Sequence, residues 1–326
     1  MNKIQLIIPV TIILLLGCKT NNNNNNVDKG VEHKPEIQIV DSENVNRDNL
    51  VIDKNLINGN YGLINSNGKL IVDYKFKYIQ KHTIDHKRKE VVFIAQSIDS
   101  KKKCLLNSKG EEVIRDIYNK IEFKNDEFLV QNENNLFGVI SKDYEMVIPA
   151  KYERISKERV MNEYKYKVKS NNHYGYLNLD GTDDIPIIYN SIFPDYKYYL
   201  VDLKGKYGLI GLKGQIIIEP QYELLIHLSS INLDGTVDLY AKKNNLMGII
   251  DINNKEVIPL KYDKIEMLTF NLENNFIKVK KDKLWGIIDY SKNIIKPIEY
   301  EEIKRNKKNI LGKLPNQEYK VFDIKI

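Results

Sequence analysis

The chain has 326 residues, more than one ordinary domain needs, and 42% of them are hydrophobic, enough for a substantial core. Its 50 Lys and Arg against 44 Asp and Glu leave a formal charge of only +6, with the two signs interleaved along the chain. That pattern excludes the clustered basic face of a nucleic-acid binder, and two cysteines, Cys18 and Cys104, exclude a disulfide-dense scaffold. The small positive excess favours an anionic surface, such as lipid headgroups or acidic polysaccharide, only weakly.

At the N-terminus, Met1-Asn2-Lys3 precedes an apolar run from Ile4 to Leu16. A run of this length suits a signal peptide and is too short to cross a bilayer as a helix. It ends in Leu15-Leu16-Gly17-Cys18, which resembles the bacterial lipobox. The resemblance implies that residues 1–17 are removed and that Cys18 carries the lipid. Each buried methylene contributes ~0.8 kcal/mol, so two or three acyl chains hold stably where one binds reversibly. The expected location is the cell envelope. Lys19, rather than Asp, after the cysteine favours the outer membrane if the cell is Gram-negative. Residues 18–49, with Asn21 to Asn26 and a polar stretch around Pro35, cannot bury enough surface to fold. They read as a flexible tether spanning roughly 30 Å, followed by a folded body over residues 50–326.

Within the body a motif recurs: Tyr61-Gly62-Leu63-Ile64, Phe137-Gly138-Val139-Ile140, Tyr174-Gly175-Tyr176-Leu177, Tyr207-Gly208-Leu209-Ile210, Met247-Gly248-Ile249-Ile250 and Trp285-Gly286-Ile287-Ile288. Lys103-Cys104-Leu105-Leu106 fits the register with Cys104 in the glycine place, as a small packing residue. Fourteen positions after each anchor stands an aromatic: Phe76, Tyr118, Tyr152, Tyr189, Tyr222, Tyr262 and Tyr300. Three further on stand Ile79, Ile121, Ile155, Ile192, Leu225, Ile265 and Ile303. Proline follows the anchor by eleven residues at Pro149, Pro186, Pro259 and Pro297, and by twelve at Pro220.

The pattern resembles the WG-containing repeat family of bacteria, most closely in Trp285-Gly286-Ile287-Ile288-Asp289, and covers Asn58 to Ile303. The resemblance implies an all-β repeat with no known catalysis and carries no functional residues to transfer.

The residues lead to the same picture. Phe276 to Lys280, a turn at Lys281-Asp282-Lys283 and Leu284 to Asp289 make a hairpin; alternation puts Trp285 and Ile287 on one face and Ile288 on the other. A strand apolar on both faces must be covered twice. A third strand, Asn293 to Ile295, ends near a proline that cannot donate to a ladder. The expected fold is all-β: about seven three-stranded meanders, with a short fourth strand possible around the aromatic-x-x-Ile segment, stacked in an open curled solenoid. The alternative is a seven-bladed propeller-like ring. Glu318 to Asp323 reads as a last anchor strand, which either closes a ring or caps an open end. Glycine at a two-sided position suggests close approach, and the aromatic fourteen residues on is the expected cover.

Chemical motifs are sparse. His82 and His86 are close in sequence, but the surrounding lysines read as an exposed loop, so no metal site is expected. Asn178-Leu179-Asp180-Gly181-Thr182 and its copy Asn232-Leu233-Asp234-Gly235-Thr236 are turn signals without a calcium loop's oxygens. No nucleophile elbow, phosphate loop or zinc-protease motif occurs. Neither catalysis nor a cofactor is expected. Tyr164, Tyr166, Tyr196, Tyr198 and Tyr199 suit either a binding surface or the core. The expected partner is another envelope or extracellular protein, met through the variable segments 80–96 and 228–239; the alternative is a polysaccharide-binding or envelope-structural lipoprotein, and a remote one is a hydrolase, which would need two carboxylates converging in a pocket.

Overall fold

The computed structural model describes residues 49–195, 197–231, 237–268, 276–306 and 309–324. The signal segment, Cys18 and nearly all of the tether lie outside them. The described residues form seven antiparallel sheets joined in chain order, and no helix occurs among them.

The third sheet serves as the pattern. Its strands, Arg154–Val160, Glu163–Ser170, His173–Leu177 and Asp183–Tyr189, pair in sequence order as a meander. The anchor Gly175 lies in the third strand and Tyr189 closes the fourth. The chain then leaves the sheet in a single residue, Asn190, whose N–H donates to the Asp202 carbonyl of the next sheet (2.9 Å). Asn119, Glu153, Glu223, Asp263 and Glu301 make the equivalent bond at their corners. Each of the five middle sheets therefore has four strands, with the short additional strand present. The aromatic and the aliphatic three residues later belong to different sheets. The additional strand is an edge: Arg154-Ile155-Ser156-Lys157-Glu158 is mostly polar, so it lacks the apolar run that marks a buried strand. In the first sheet, Leu70–Asp85 runs straight through the corresponding corner and joins two units into six strands.

Hydrophobic alternation does what the pattern requires. The residue after each anchor packs forward and the next packs backward. Val139 joins Tyr152, Tyr166 and Val168, whereas Ile140 joins Tyr118, Phe128 and Val130. Ile287 and Ile288 divide in the same way between the last cluster and the one before it. Apart from the half-buried Tyr300, the repeat aromatics, Phe76, Tyr118, Tyr152, Tyr189, Tyr222 and Tyr262, are buried in these inter-sheet clusters. Each contributes on the order of 1.5–3 kcal/mol. Among the described residues no cluster joins the first sheet to the last, so the sheets form an open array.

The anchor glycines answer to something other than an aromatic ring. Phe137 pairs with Tyr152 and Val139 with Ile148, so Gly138 alone faces Pro149, Ala150 and Lys151. The fourth strand bulges there, and its backbone presses onto the glycine. A Cβ on Gly138 would lie 2.6 Å from the Ile148 carbonyl oxygen and 2.7 Å from the Ala150 nitrogen. Gly62, Gly175, Gly208 and Gly248 would likewise each strike a carbonyl oxygen of the bulged strand, at 2.4–2.5 Å. At Gly286 the Ile298 side chain and the Lys296 oxygen stand 2.8 and 2.9 Å away. The recurrent prolines fall inside this bulge, where a missing N–H breaks no ladder bond. The expected aromatic cover is thus corrected to a backbone cover; the aromatic instead pairs across the strands with the residue before the glycine.

The last sheet makes the same point by exception. Tyr319–Phe322 takes the third-strand place beside Asn309–Lys313, and no fourth strand follows among the described residues. Lys320 stands where the anchor glycine stands elsewhere, because no bulged strand has to be admitted.

Cys104, buried in the first core, faces residues 115–117 in the same register. Gly138→Ala should therefore cost about 1–3 kcal/mol through overpacking against rigid backbone. Cys104→Gly should cost only about 0.5–1 kcal/mol, mostly backbone entropy. Urea melts of the two variants check this; an undiminished midpoint for Gly138→Ala would contradict the bulge account.

Candidate binding surface

The turns between third and fourth strands are set by short polar side chains. The Asn65 side-chain oxygen accepts from the Asn67 and Lys69 N–H groups (3.0 and 2.9 Å), and Gly68 takes a φ of +75°. The Asn178–Thr182 segment is such a turn: Asp180 accepts from the Thr182 N–H (2.9 Å) and hydroxyl (2.6 Å). Its copy at residues 232–236 lies outside the described residues. His86 is exposed in the turn before Glu90. His82 is not in that loop but half-buried on the strand Leu70–Asp85, opposite Val92. Burial lowers its pKa, which favours the neutral ring. No group of three metal-ligating side chains occurs among the described residues.

The tyrosines separate by strand face. Tyr166, Tyr198 and Tyr199 are fully buried, Tyr164 is exposed, and Tyr196 lies outside the described residues. The hydroxyls of Tyr198 and Tyr199 have no hydrogen-bond partner among the described residues, whereas three tyrosines donate to carboxylates. Tyr166 donates to Glu127 of the preceding sheet, Tyr176 to Glu158 (2.9 Å) and Tyr290 to Asp238. Burial first, and the adjoining carboxylate second, push all three hydroxyls well above the usual tyrosine range, so they remain donors at neutral pH. Tyr176 and Tyr199 also stack across sheets three and four at 5.0 Å. Beside them Lys165, only 7% exposed, is paired with Asp184.

A second feature is the treatment of the edge strands. The Lys167 ammonium donates to the Ile192 carbonyl of the next sheet (2.8 Å), and Lys278 does the same to Ile303 (3.2 Å). Both ammonium groups also sit over aromatic rings: that of Lys167 is 5.1 Å from the Phe193 centroid, and that of Lys278 is 4.1 Å from that of Trp285. Lysine at such an edge blocks strand addition while covering apolar surface.

Between sheets three and four these features frame a cleft of about 310 Å³. Arg154, Ser156 and Glu158 come from one edge strand, Lys167 from its neighbour, and Ser191 and Phe193 from the next sheet. Phe193 is 52% exposed. Glu158 is engaged by the Ser156 and Tyr176 hydroxyls. In a smaller cleft between sheets two and three, Glu127 is ion-paired with Lys157 at 2.6 Å. The sequence pattern did not single out Arg154, Lys167 or Phe193. The one signal was Phe193 itself, an aromatic one position after an inward-facing isoleucine and so on the opposite face of its strand.

The variable segments prove to be hairpins between first and second strands. Residues 80–96 form an extended one, with Val92, Phe93, Ile94 and Ala95 buried; the tip of 228–239 lies outside the described residues. Asp184→Ala should destabilise the fold by about 3 kcal/mol or more, because it leaves the Lys165 ammonium buried and unpaired. Thermal melts should show Lys165→Met with Asp184→Leu recovering most of that loss; a neutral Asp184→Ala would show the pair to be solvent-screened.

Among solved structures, the computationally designed Ika8 protein is similar at 11% identity, over 85% of this chain and 93% of that one, with a TM-score of 0.26. BamB from Moraxella catarrhalis is similar at 11% identity, over 71% and 78%, with a TM-score of 0.27. No curated protein matches the sequence. The WG containing repeat model matches residues 61–81, 207–227, 247–285 and 285–312, each stretch spanning an anchor or the strands that flank it. The chain is thus a tandem β-repeat protein that carries WG containing repeats at residues 61–81 and at several positions between 207 and 312.

Proposed function

We propose that this chain is a non-catalytic surface lipoprotein, held in the membrane through Cys18, whose repeat array binds another envelope or extracellular protein. The observation that carries the binding half is the open array itself. Sheets stacked one on the next expose a row of hairpin tips and corners, and repeat arrays gain contact area by such extension. Scaffolding is assigned to the buried repeat positions, and recognition to the segments that vary between units, residues 80–96 and 228–239.

The anchoring half rests on Leu15-Leu16-Gly17-Cys18, and the polar stretch that follows would lift the body from the membrane. No helix among the described residues is long and apolar enough to cross a membrane.

Detergent phase separation tests the anchor. Wild type should enter the detergent phase and take up labelled fatty acid; Cys18→Ala should stay aqueous and unlabelled. A Cys18→Ala protein that remained membrane-bound would sink the lipoprotein reading.

A further inference from the structure

We propose that the cleft between the third and fourth sheets is a binding site for an acidic saccharide, a chain of uronic-acid residues, and that it operates independently of the protein contact proposed above.

Three observations carry this. The first is charge. Arg154 is exposed and has no ion-pair partner among the described residues, and the Lys167 ammonium is satisfied only by a neutral carbonyl, at 2.8 Å. Lys169 nearby is already paired with Glu153 at 3.2 Å. The one carboxylate lining the cleft, Glu158, is held by Ser156 and Tyr176. Arg154 and Lys167 outnumber Glu158, whose charge its two hydroxyl donors leave in place, so the cleft keeps a positive excess that suits a carboxylate ligand, and a guanidinium can take it bidentately.

The second is the aromatic plate. Phe193 is 52% exposed beside those cations, with Lys167 at 5.1 Å from its ring. An exposed ring flanked by cations can pack against the C–H face of a sugar while the cations take the sugar's charge. Ser191 lines the same cleft and can both donate to and accept from sugar hydroxyls, the Asn190 amide can donate, and the Ser156 oxygen, its proton given to Glu158, can accept.

The third observation separates a saccharide from an acidic peptide. A peptide would gain most of its affinity by pairing its backbone with an edge strand. Here the Ile192 carbonyl, on the edge strand that forms one wall, is already taken by Lys167. At that point the cleft offers side chains in place of an open carbonyl. The volume, about 310 Å³, lies at the lower end for small-molecule sites and fits one or two sugar rings.

Isothermal titration of the full chain in mild detergent with a galacturonic acid trisaccharide tests the assignment. Saturable binding is expected, weakening as salt is raised. Arg154→Gln and Phe193→Ala should each weaken it by about tenfold or more. Both side chains are exposed, so their melting temperatures should match wild type. A neutral galactose trisaccharide and a short glutamate peptide should bind at least about tenfold more weakly than the uronate. Absence of saturable uronate binding, unchanged affinity in both variants, or equal affinity for the neutral sugar would overturn the proposal. Equal affinity for the glutamate peptide would reassign the cleft to acidic protein segments and overturn the saccharide claim.

Discussion

The contact on which the fold depends is backbone against backbone: in six units a bulged strand lies on the anchor glycine of the strand before it. Three residues of one strand face a single residue of the other, which shortens the ladder and bends the strand. The bend delivers the aromatic fourteen residues after the glycine to the inter-sheet core. One residue later the chain can turn into the next sheet. A fixed distance from glycine to aromatic is therefore the length of a bulged strand plus its turn. The spacing between units varies because it is set by the hairpins, which carry no such constraint.

Much of this was legible in the sequence, though not its cause. Alternation along Trp285-Gly286-Ile287-Ile288 gave an anchor strand buried on both faces, and Ile287 and Ile288 do pack into different cores. The bulge was not legible, because a backbone approach leaves no side-chain pattern except the glycine and proline that permit it. Both were visible, and the ring at the end of the ruler offered a simpler but mistaken cover. The edge strands were hard to read for a related reason. Arg154 to Val160 pairs on one side only and carries polar residues, so it resembles a loop in composition. Tyr198 and Tyr199 stand side by side in a segment rich in polar residues, yet both are buried, because sheets stack on both faces of the strand that holds them.

Polar chemistry follows the same geometry. Stacking sheets at close quarters buries the ends of their first and second strands, and tyrosine reaches across with a ring for the core and a hydroxyl for a carboxylate. Lysines at the edges supply stems for packing and ammoniums for open carbonyls. These devices keep an array with many free edges from adding strands at random.

The most direct measurement of the central claim is the proton environment of Gly138 in solution. In a selectively labelled sample, nuclear Overhauser contacts should run from the Gly138 α-protons to the amide and α-proton of Ala150, whose backbone atoms lie within 3 Å of a Cβ placed there. Strong contacts from Gly138 to the ring of Tyr152, with none to the Ala150 backbone, would mean that the aromatic covers the glycine after all, and the account of why the repeat keeps its length would fail.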